Sequence, residues 1–161
     1  MFSNDLLQRA ENNEIDAVLG IADCYFRGKG IEEDNDKAFY WYQKAVELDS
    51  DCANALYNLG ICYLNGYGVQ MNKELAISYY KKASELGDVG AMRRLGVAYY
   101  EGDGATQSYE TAVHWFQIAA EQGDVDAQFN LGLCFSNGYG VPQNRQSAAY
   151  WYQKAAVQTV T

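Results

Sequence analysis

Apolar residues recur along this chain with the spacing of amphipathic helices. Between residues 52 and 65, the apolar stripe is Leu56, Leu59, Gly60 and Tyr63, at positions i, i+3, i+4 and i+7. This spacing places all four residues on one face of a helix. The pattern therefore predicts a helix over about residues 52–65 that turns one face towards a core.

The same pattern returns along the chain, which indicates an array of repeated units. The segment 59–69 recurs 36 residues later at 95–105 and again at 131–141. A more divergent copy at 21–31 precedes it by 38 residues. Periods of this size are typical of stacked supersecondary units. We predict a single repeat domain over residues 1–161, with an N-terminal cap helix over 1–13 and repeats over 14–51, 52–87, 88–123 and 124–161.

Each unit is predicted to hold two helices. Two glycines end the first helix, and a residue that can cap the second helix follows six positions after the first of these glycines. The cap residues are Asp34, Asn72, Ser108 and Asn144. The second helix carries an alanine, an aromatic pair and another alanine, in the second unit Ala76, Tyr79-Tyr80 and Ala83. Large and small side chains at this spacing favour interlocking helices.

A glycine within the core stripe indicates close packing. Gly60, Gly96 and Gly132 occupy the same position of three units, although glycine costs about 1 kcal/mol in a helix relative to alanine. We expect the missing side chain to let a neighbouring helix approach closely. Residues 5–12 resemble a lone second helix and predict an N-terminal helix that covers the first repeat.

These motifs resemble the Sel-one-like repeat (SLR) family, a branch of the tetratricopeptide superfamily. The second unit carries the signature as Leu59-Gly60, Tyr63, Gly66, Gly68, Val69, Ala76, Tyr79, Lys82 and Ala83. The first unit departs from it at Ala22 and Asp49, and the third at Ala105. The resemblance implies an all-α fold, a right-handed α-α superhelix (solenoid) of four tetratricopeptide-like helix pairs plus the N-terminal cap. It also implies a concave side that binds protein or peptide.

Charge narrows the class of partner. The net charge is −9, and residues 1–51 carry −7 of it, with 12 acidic and 5 basic residues. This balance repels nucleic acid and anionic lipid and favours a basic protein partner. No apolar run approaches the roughly 20 residues of a membrane span, and the first residues lack the features of a signal peptide. We expect a cytoplasmic monomer.

Cysteine and histidine usage argues against metal or catalytic chemistry. Cys24, Cys62 and Cys134 share one column of the repeat with Ala98, which predicts buried free thiols, while Cys52 lies elsewhere. His114 is the single histidine, no CxxC pair is present, and we predict no cofactor or metal. Some cysteine-rich members of the family that this chain resembles are assigned β-lactam hydrolysis. The cysteine pairs that those members carry within each repeat are absent from this sequence. Hydrolysis is therefore only a remote alternative.

The face of the first helices opposite the core is the candidate binding site. The predicted partner-binding residues are Tyr57, Asn58, Ile61, Arg93, Arg94, Val97, Tyr100, Phe129, Asn130 and Leu133. An apolar strip flanked by aromatic and arginine residues is typical of a binding hot spot. Position 94 and the asparagines resemble the columns that tetratricopeptide relatives use to bind a peptide's C-terminal carboxylate. In the alternative, the arginines only pair with Glu101 or Asp126.

Two functions remain open beside catalysis. One is a non-catalytic interaction module, such as an adaptor, that binds a peptide or protein segment in the concave groove. The other is an inhibitor or immunity-type protein that masks a basic toxin or enzyme. In that case the acidic residues that steer the encounter would be Asp23, Glu32, Glu33, Asp34 and Asp36.

Overall fold

Nine α-helices are the regular elements of the chain in a computed structural model that describes residues 1–159. They are α1 (Asn4–Glu11), α2 (Ile15–Arg27), α3 (Asn35–Leu48), α4 (Ala53–Asn65), α5 (Lys73–Glu85), α6 (Val89–Glu101), α7 (Tyr109–Glu121), α8 (Val125–Asn137) and α9 (Arg145–Thr159). The predicted all-α fold class, four helix pairs preceded by a cap helix, is confirmed over these residues. Residues 160 and 161, assigned above to the fourth repeat, lie outside the described residues.

The first compact unit spans residues 1–86 and contains α1 to α5. Helices α2 and α3 pack as one pair and α4 and α5 as the next, and α3 packs against α4. Ile21, Tyr42 and Leu59 are among its buried core residues. Helix α1 packs on α2, with the Leu6 side chain over Gly20. The short first helix therefore covers the first pair, as predicted.

The second compact unit spans residues 87–161, with α6 to α9 in its described part. Helices α6 and α7 form one pair and α8 and α9 the next, while α8 also packs against α7 and α6. Leu95, Phe116 and Leu131 are buried in its core. The two first helices of this unit, α6 and α8, are thereby brought side by side.

The loop within each pair follows the predicted stop and start signals. Gly66 and Gly68 adopt φ values of 73° and 66°, and the backbone of Gly68 lies so close to the Asn35 carbonyl that a Cβ would collide with it. Such a turn favours glycine on both counts. All four predicted caps accept a backbone N–H of the next first turn: Asp34 from Lys37 (2.9 Å), Asn72 from Leu75 (2.9 Å), Ser108 from Thr111 (3.2 Å) and Asn144 from Ser147 (3.0 Å).

The helical glycines lie under aromatic rings of the paired helix. The contacts are Gly60 with Tyr80, Gly96 with Phe116 and Gly132 with Tyr152. A Cβ built on Gly60 would stand 2.5 Å from the Tyr80 ring, and one on Gly132 would stand 2.7 Å from Tyr152. The predicted close approach is therefore confirmed, and its cause is a ring that occupies the space of the absent side chain.

Candidate protein-binding surface

Helices α6 and α8 present predicted site residues at equivalent positions. We call the surface formed by Arg94, Val97 and Tyr100 of α6 with Asn130 and Leu133 of α8 the α6–α8 face. All five residues are half-buried. Because α6 packs against α8, two apolar side chains at equivalent repeat positions, Val97 and Leu133, lie on adjoining helices. The face combines apolar area with a guanidinium and a carboxamide.

Arg93 ties the two helices together instead of standing open on this face. Its Nε lies 3.1 Å from Asp124 Oδ2, and its Nη1 lies 3.2 Å from Asp126 Oδ2. Asp124 also caps α8 by accepting the N–H of Ala127 at 2.8 Å. The pairing with Asp126 is the alternative that the sequence left open for the arginines. Arg93 forms this ion pair. Because its guanidinium binds two carboxylates of the neighbouring repeat, it stabilises the contact between α6 and α8.

Tyr100 belongs to an aromatic cluster at one end of the α6–α8 face. Its ring centroid lies 5.2 Å from that of Tyr109 and 5.9 Å from that of Tyr139, and those two rings stack at 4.8 Å. Burial is the main reason that the pKa of Tyr100 is raised. A ring held by two others is a preorganised contact surface, which lowers the entropy cost of binding.

Three predicted site residues lie on α4, in the first unit. Tyr57 and Ile61 are half-buried, and the Tyr57 ring lies 5.9 Å from the ring of Tyr80. Asn58 is only 7% exposed, and its Nδ2 donates to the carbonyl of Asn54 at 2.9 Å and to the Asn54 side chain at 3.1 Å. The side chain of Asn58 is thus turned back onto its own helix and is less open to solvent than the sequence indicated.

Phe129 lies in a second opening that the sequence analysis missed. Its side chain is 51% exposed, and its ring centroid is 5.4 Å from that of Tyr152 on α9. The opening, which we call the α8–α9 cleft, has a volume of about 520 Å³ and is lined by Val125, Asp126, Phe129, Tyr152, Ala155, Ala156 and Thr159. The signal that could have revealed it is the aromatic residue Phe129, which stands where the third repeat has Arg93.

The acidic residues of the first repeat divide into two groups. Asp23 accepts a 2.6 Å hydrogen bond from the Tyr42 hydroxyl. Asp34 caps α3, and its hydrogen bond with Lys37 lowers the pKa of its carboxyl. Glu32, Glu33 and Asp36 are exposed. Of the five acids considered for steering, these last three are the ones that the fold leaves at the surface.

The thiols occupy packing positions. Cys24, Cys62 and Cys134 are buried and all four cysteines are free, as predicted. Burial raises the pKa of Cys62 to about 12 and that of Cys134 to about 11. Among residues 1–159, no cluster of three or more histidine, cysteine, aspartate or glutamate side chains could hold a metal ion. Within the same range, every helix falls short of the length and apolarity that a membrane crossing requires.

Comparison with solved structures identifies close structural relatives. A protective antigen of uropathogenic Escherichia coli that displays an SLR fold is 35% identical, with a TM-score of 0.88 over 95% of this chain and 32% of its own. A Sel1 repeat protein from Oxalobacter formigenes is 32% identical, with a TM-score of 0.84 over 94% of this chain and 62% of its own. The chain thus spans about a third of the first relative and less than two thirds of the second.

A third structure and a family model complete the comparison. Helicobacter pylori cysteine rich protein B is 30% identical, with a TM-score of 0.59 over 76% of this chain and 92% of its own. No curated protein sequence gives a significant match. The model of the Sel1 repeat matches four successive segments, residues 15–50, 53–88, 89–124 and 125–158. These matches cover nearly all of the described residues, and the chain belongs to the Sel1 repeat family.

Proposed function

We propose that this chain is a non-catalytic adaptor that binds a peptide or protein segment on the exposed faces of its first helices. Sel1 repeat proteins are repeat scaffolds that generally act in protein–protein interaction. The observation that carries the finer proposal is the α6–α8 face, where half-buried Val97 and Leu133 adjoin Arg94 and Asn130. Apolar area rimmed by groups that form directional hydrogen bonds is how helical repeats bind a segment.

The chemistry of the face favours a segment that carries a carboxylate. A guanidinium can bind a carboxylate through two parallel hydrogen bonds, and a carboxamide adds a further donor. Arg94 of α6 and Asn130 of α8 stand at equivalent positions of the α6–α8 face, and we assign the carboxylate to these two residues. On α4, Tyr57 and Ile61 supply comparable apolar contacts, whereas Asn58 is committed to Asn54. We place this binding activity in the cytoplasm and expect a monomer.

A selected peptide provides the test. Peptides with free C-termini are selected from a display library on the full chain, and the dissociation constant of the best binder is measured by calorimetry. Arg94→Ala is expected to weaken binding by about 1–3 kcal/mol. Amidation of the peptide's C-terminus should cost a similar amount for the wild-type chain and little for Arg94→Ala.

Gln117→Ala is the matched control. Gln117 is exposed on α7 and donates to Glu121 at 3.0 Å, so its loss should leave both the fold and peptide binding unchanged. Far-ultraviolet circular dichroism verifies the fold of every variant. If Gln117→Ala abolished binding while Arg94→Ala did not, the segment would be bound by the second helices and the proposal would be wrong.

An inhibitor that masks a basic toxin or enzyme is the second candidate. It is favoured by the −7 charge of residues 1–51 and by the exposure of Glu32, Glu33 and Asp36. Capture from the native lysate followed by mass spectrometry separates the two: one basic enzyme favours the inhibitor, and several unrelated clients favour the adaptor. The encounter with a basic enzyme should slow with added salt, since steering by surface charge is screened.

A further inference from the structure

Two tyrosine rings from consecutive repeats are stacked at the surface of the second unit. Tyr109 is the first residue of α7, and Tyr139 lies in the loop between α8 and α9. Their ring centroids are 4.8 Å apart, and their ring planes differ by 16°. Both residues are half-buried, so each phenol keeps part of its surface in contact with solvent. The pair therefore holds two oxidisable groups in contact at a place that a dissolved oxidant can reach.

The glycine turn before α9 fixes this contact. Gly138 and Gly140 flank Tyr139 and adopt φ values of 72° and 70°. The backbone of Gly140 lies so close to the Tyr109 carbonyl that a Cβ would collide with it. Both the positive φ and the lack of space favour glycine, and the turn keeps Tyr139 beside Tyr109. The ring of Tyr100 completes the cluster and lies edge-on to the other two, at 5.2 Å and 5.9 Å.

We propose that Tyr109 and Tyr139 are a site of oxidative cross-linking, at which a one-electron oxidant joins the two phenols by a carbon–carbon bond. The oxidant belongs to the class of haem peroxidases that use hydrogen peroxide. Two radicals that are held in contact combine faster than radicals that must meet by diffusion, because proximity replaces a bimolecular encounter. This proposal does not depend on the function proposed for the α6–α8 face.

The reaction balances in electrons and protons. Each phenol loses one electron to the oxidant and one proton to water, which leaves two phenoxyl radicals. The radicals combine in a bond between one Cε atom of each ring. One hydrogen then moves from each bonded carbon to the phenol oxygen through water, and both rings become aromatic again. The product has lost two hydrogen atoms in total, and one molecule of hydrogen peroxide takes up the two electrons and two protons to become two molecules of water.

The cross-link joins the third repeat to the fourth. It connects the start of α7 to the loop that follows α8, so that the whole of both helices lies within the closed segment 109–139. A cross-link of this span restricts the unfolded chain and thereby favours the folded state. Oxidation of this pair is therefore expected to stabilise the protein.

A second stacked pair, in the first unit, provides an internal comparison. The rings of Tyr63 and Tyr79 are 5.4 Å apart, but both residues belong to helices, and Tyr63 also packs edge-on against Phe39 at 5.6 Å. Coupled rings are joined through their edges and cannot stay stacked, so one of them has to turn. The loop residue Tyr139 can turn more readily than a residue in the middle of a helix, and Tyr109–Tyr139 is the pair that we expect to react.

Mild oxidation of the full chain tests the site. The protein is treated at low concentration with a haem peroxidase and limiting hydrogen peroxide, and the monomer is isolated under denaturing conditions. Digestion after glutamate separates Tyr109, in the peptide 102–110, from Tyr139, in the segment that follows Glu121. Mass spectrometry should find these two peptides joined, with the loss of two hydrogen atoms. The joined product should be several times more abundant than a Tyr63–Tyr79 product.

Phenylalanine substitutions identify the reacting rings. Tyr109→Phe and Tyr139→Phe each keep a ring in the stack and remove the phenol that is oxidised, so each should abolish the joined peptides. Tyr100→Phe is the matched control, since it removes a phenol of the same cluster outside the stacked pair, and its cross-link should form as in the wild type. The urea midpoint of the wild-type chain should rise after oxidation, whereas that of Tyr139→Phe should stay unchanged.

Three results would overturn the proposal. The first is a monomer without the joined peptides in which Tyr40 and Tyr150, 57% and 54% exposed, have been oxidised. The second is a cross-link to residue 109 that persists in Tyr139→Phe. The third is an equal yield at Tyr63 and Tyr79, which would mean that stacking alone decides the reaction and that the loop at Tyr139 has no part in it.

Discussion

At the scale of single residues, the fold depends on positions where a side chain is missing. Gly96 lies under the Phe116 ring, as Gly60 and Gly132 lie under tyrosine rings in their own repeats. The first repeat instead has Ala22 in this column and is still fully packed, with both Ala22 and the opposing Tyr42 at 0% exposure. There the Tyr42 hydroxyl is held by Asp23, a hydrogen bond that no other repeat's sequence allows.

Gly96→Ala is expected to destabilise the chain even though alanine is the better helix former. The added Cβ would overlap the Phe116 ring atoms, and overpacking of a core costs about 1–3 kcal/mol, more than the gain in helix propensity of about 1 kcal/mol. Gly20→Ala is the matched control, since its Cβ would stand 3.5 Å from Leu6 in ordinary contact. That variant should be unchanged or up to about 1 kcal/mol more stable. Urea unfolding followed by circular dichroism measures both; a Gly96→Ala variant as stable as Gly20→Ala would show that the ring shifts freely.

At the scale of helices, local sequence signals were sufficient to predict where the second helix of each pair begins. The caps and the glycine turns are read from residues within a few positions of each other, and all four predicted caps form. What the sequence could not predict depends on partners far along the chain. Arg93 finds Asp124 about 30 residues away, and Asn58 turns inward to Asn54 instead of outward. Periodicity predicts on which face of a helix a side chain lies. It does not predict whether that side chain bonds to a neighbouring residue or faces solvent.

The cap of α5 offers a test of how much a single signal contributes. The Asn72 side chain accepts the N–H of Leu75 at 2.9 Å, and Asn72 itself is exposed, so a substitution there disturbs no core contact. Asn72→Ala should lower the free energy of unfolding by about 0.5–2 kcal/mol, because the amide loses its acceptor. Asn72→Asp retains the acceptor and adds a charge that the helix N-terminus favours, and it should be neutral or slightly stabilising. Equal stabilities of the two variants in urea unfolding would mean that the loop, and not the cap, starts α5.

At the scale of the whole chain, the excess of acid is the property that the repeats do not share equally. Residues 1–51 carry −7 of the net −9. The ion pairs of this segment, Arg9 with Glu14 and Lys37 with Asp34, lie at exposed positions. Exposed pairs of this kind contribute little to stability, whereas an excess of one sign of charge opposes the compact state. Repulsion among like charges should therefore outweigh the attraction within these pairs.

Added salt is accordingly expected to stabilise the chain. Raising sodium chloride from about 10 mM to about 150 mM shortens the screening length from about 30 Å to about 8 Å, which weakens repulsion between acids that are not in contact. The urea midpoint should rise over this range. In the double variant Glu32→Gln with Glu33→Gln, which removes two exposed acids of the same segment, the midpoint at low salt should be higher and its rise with salt smaller. Chloride is used because sulfate would strengthen apolar burial in any protein. A urea midpoint that falls with salt would contradict this prediction. It would show that attraction within the exposed ion pairs outweighs repulsion among the acidic residues.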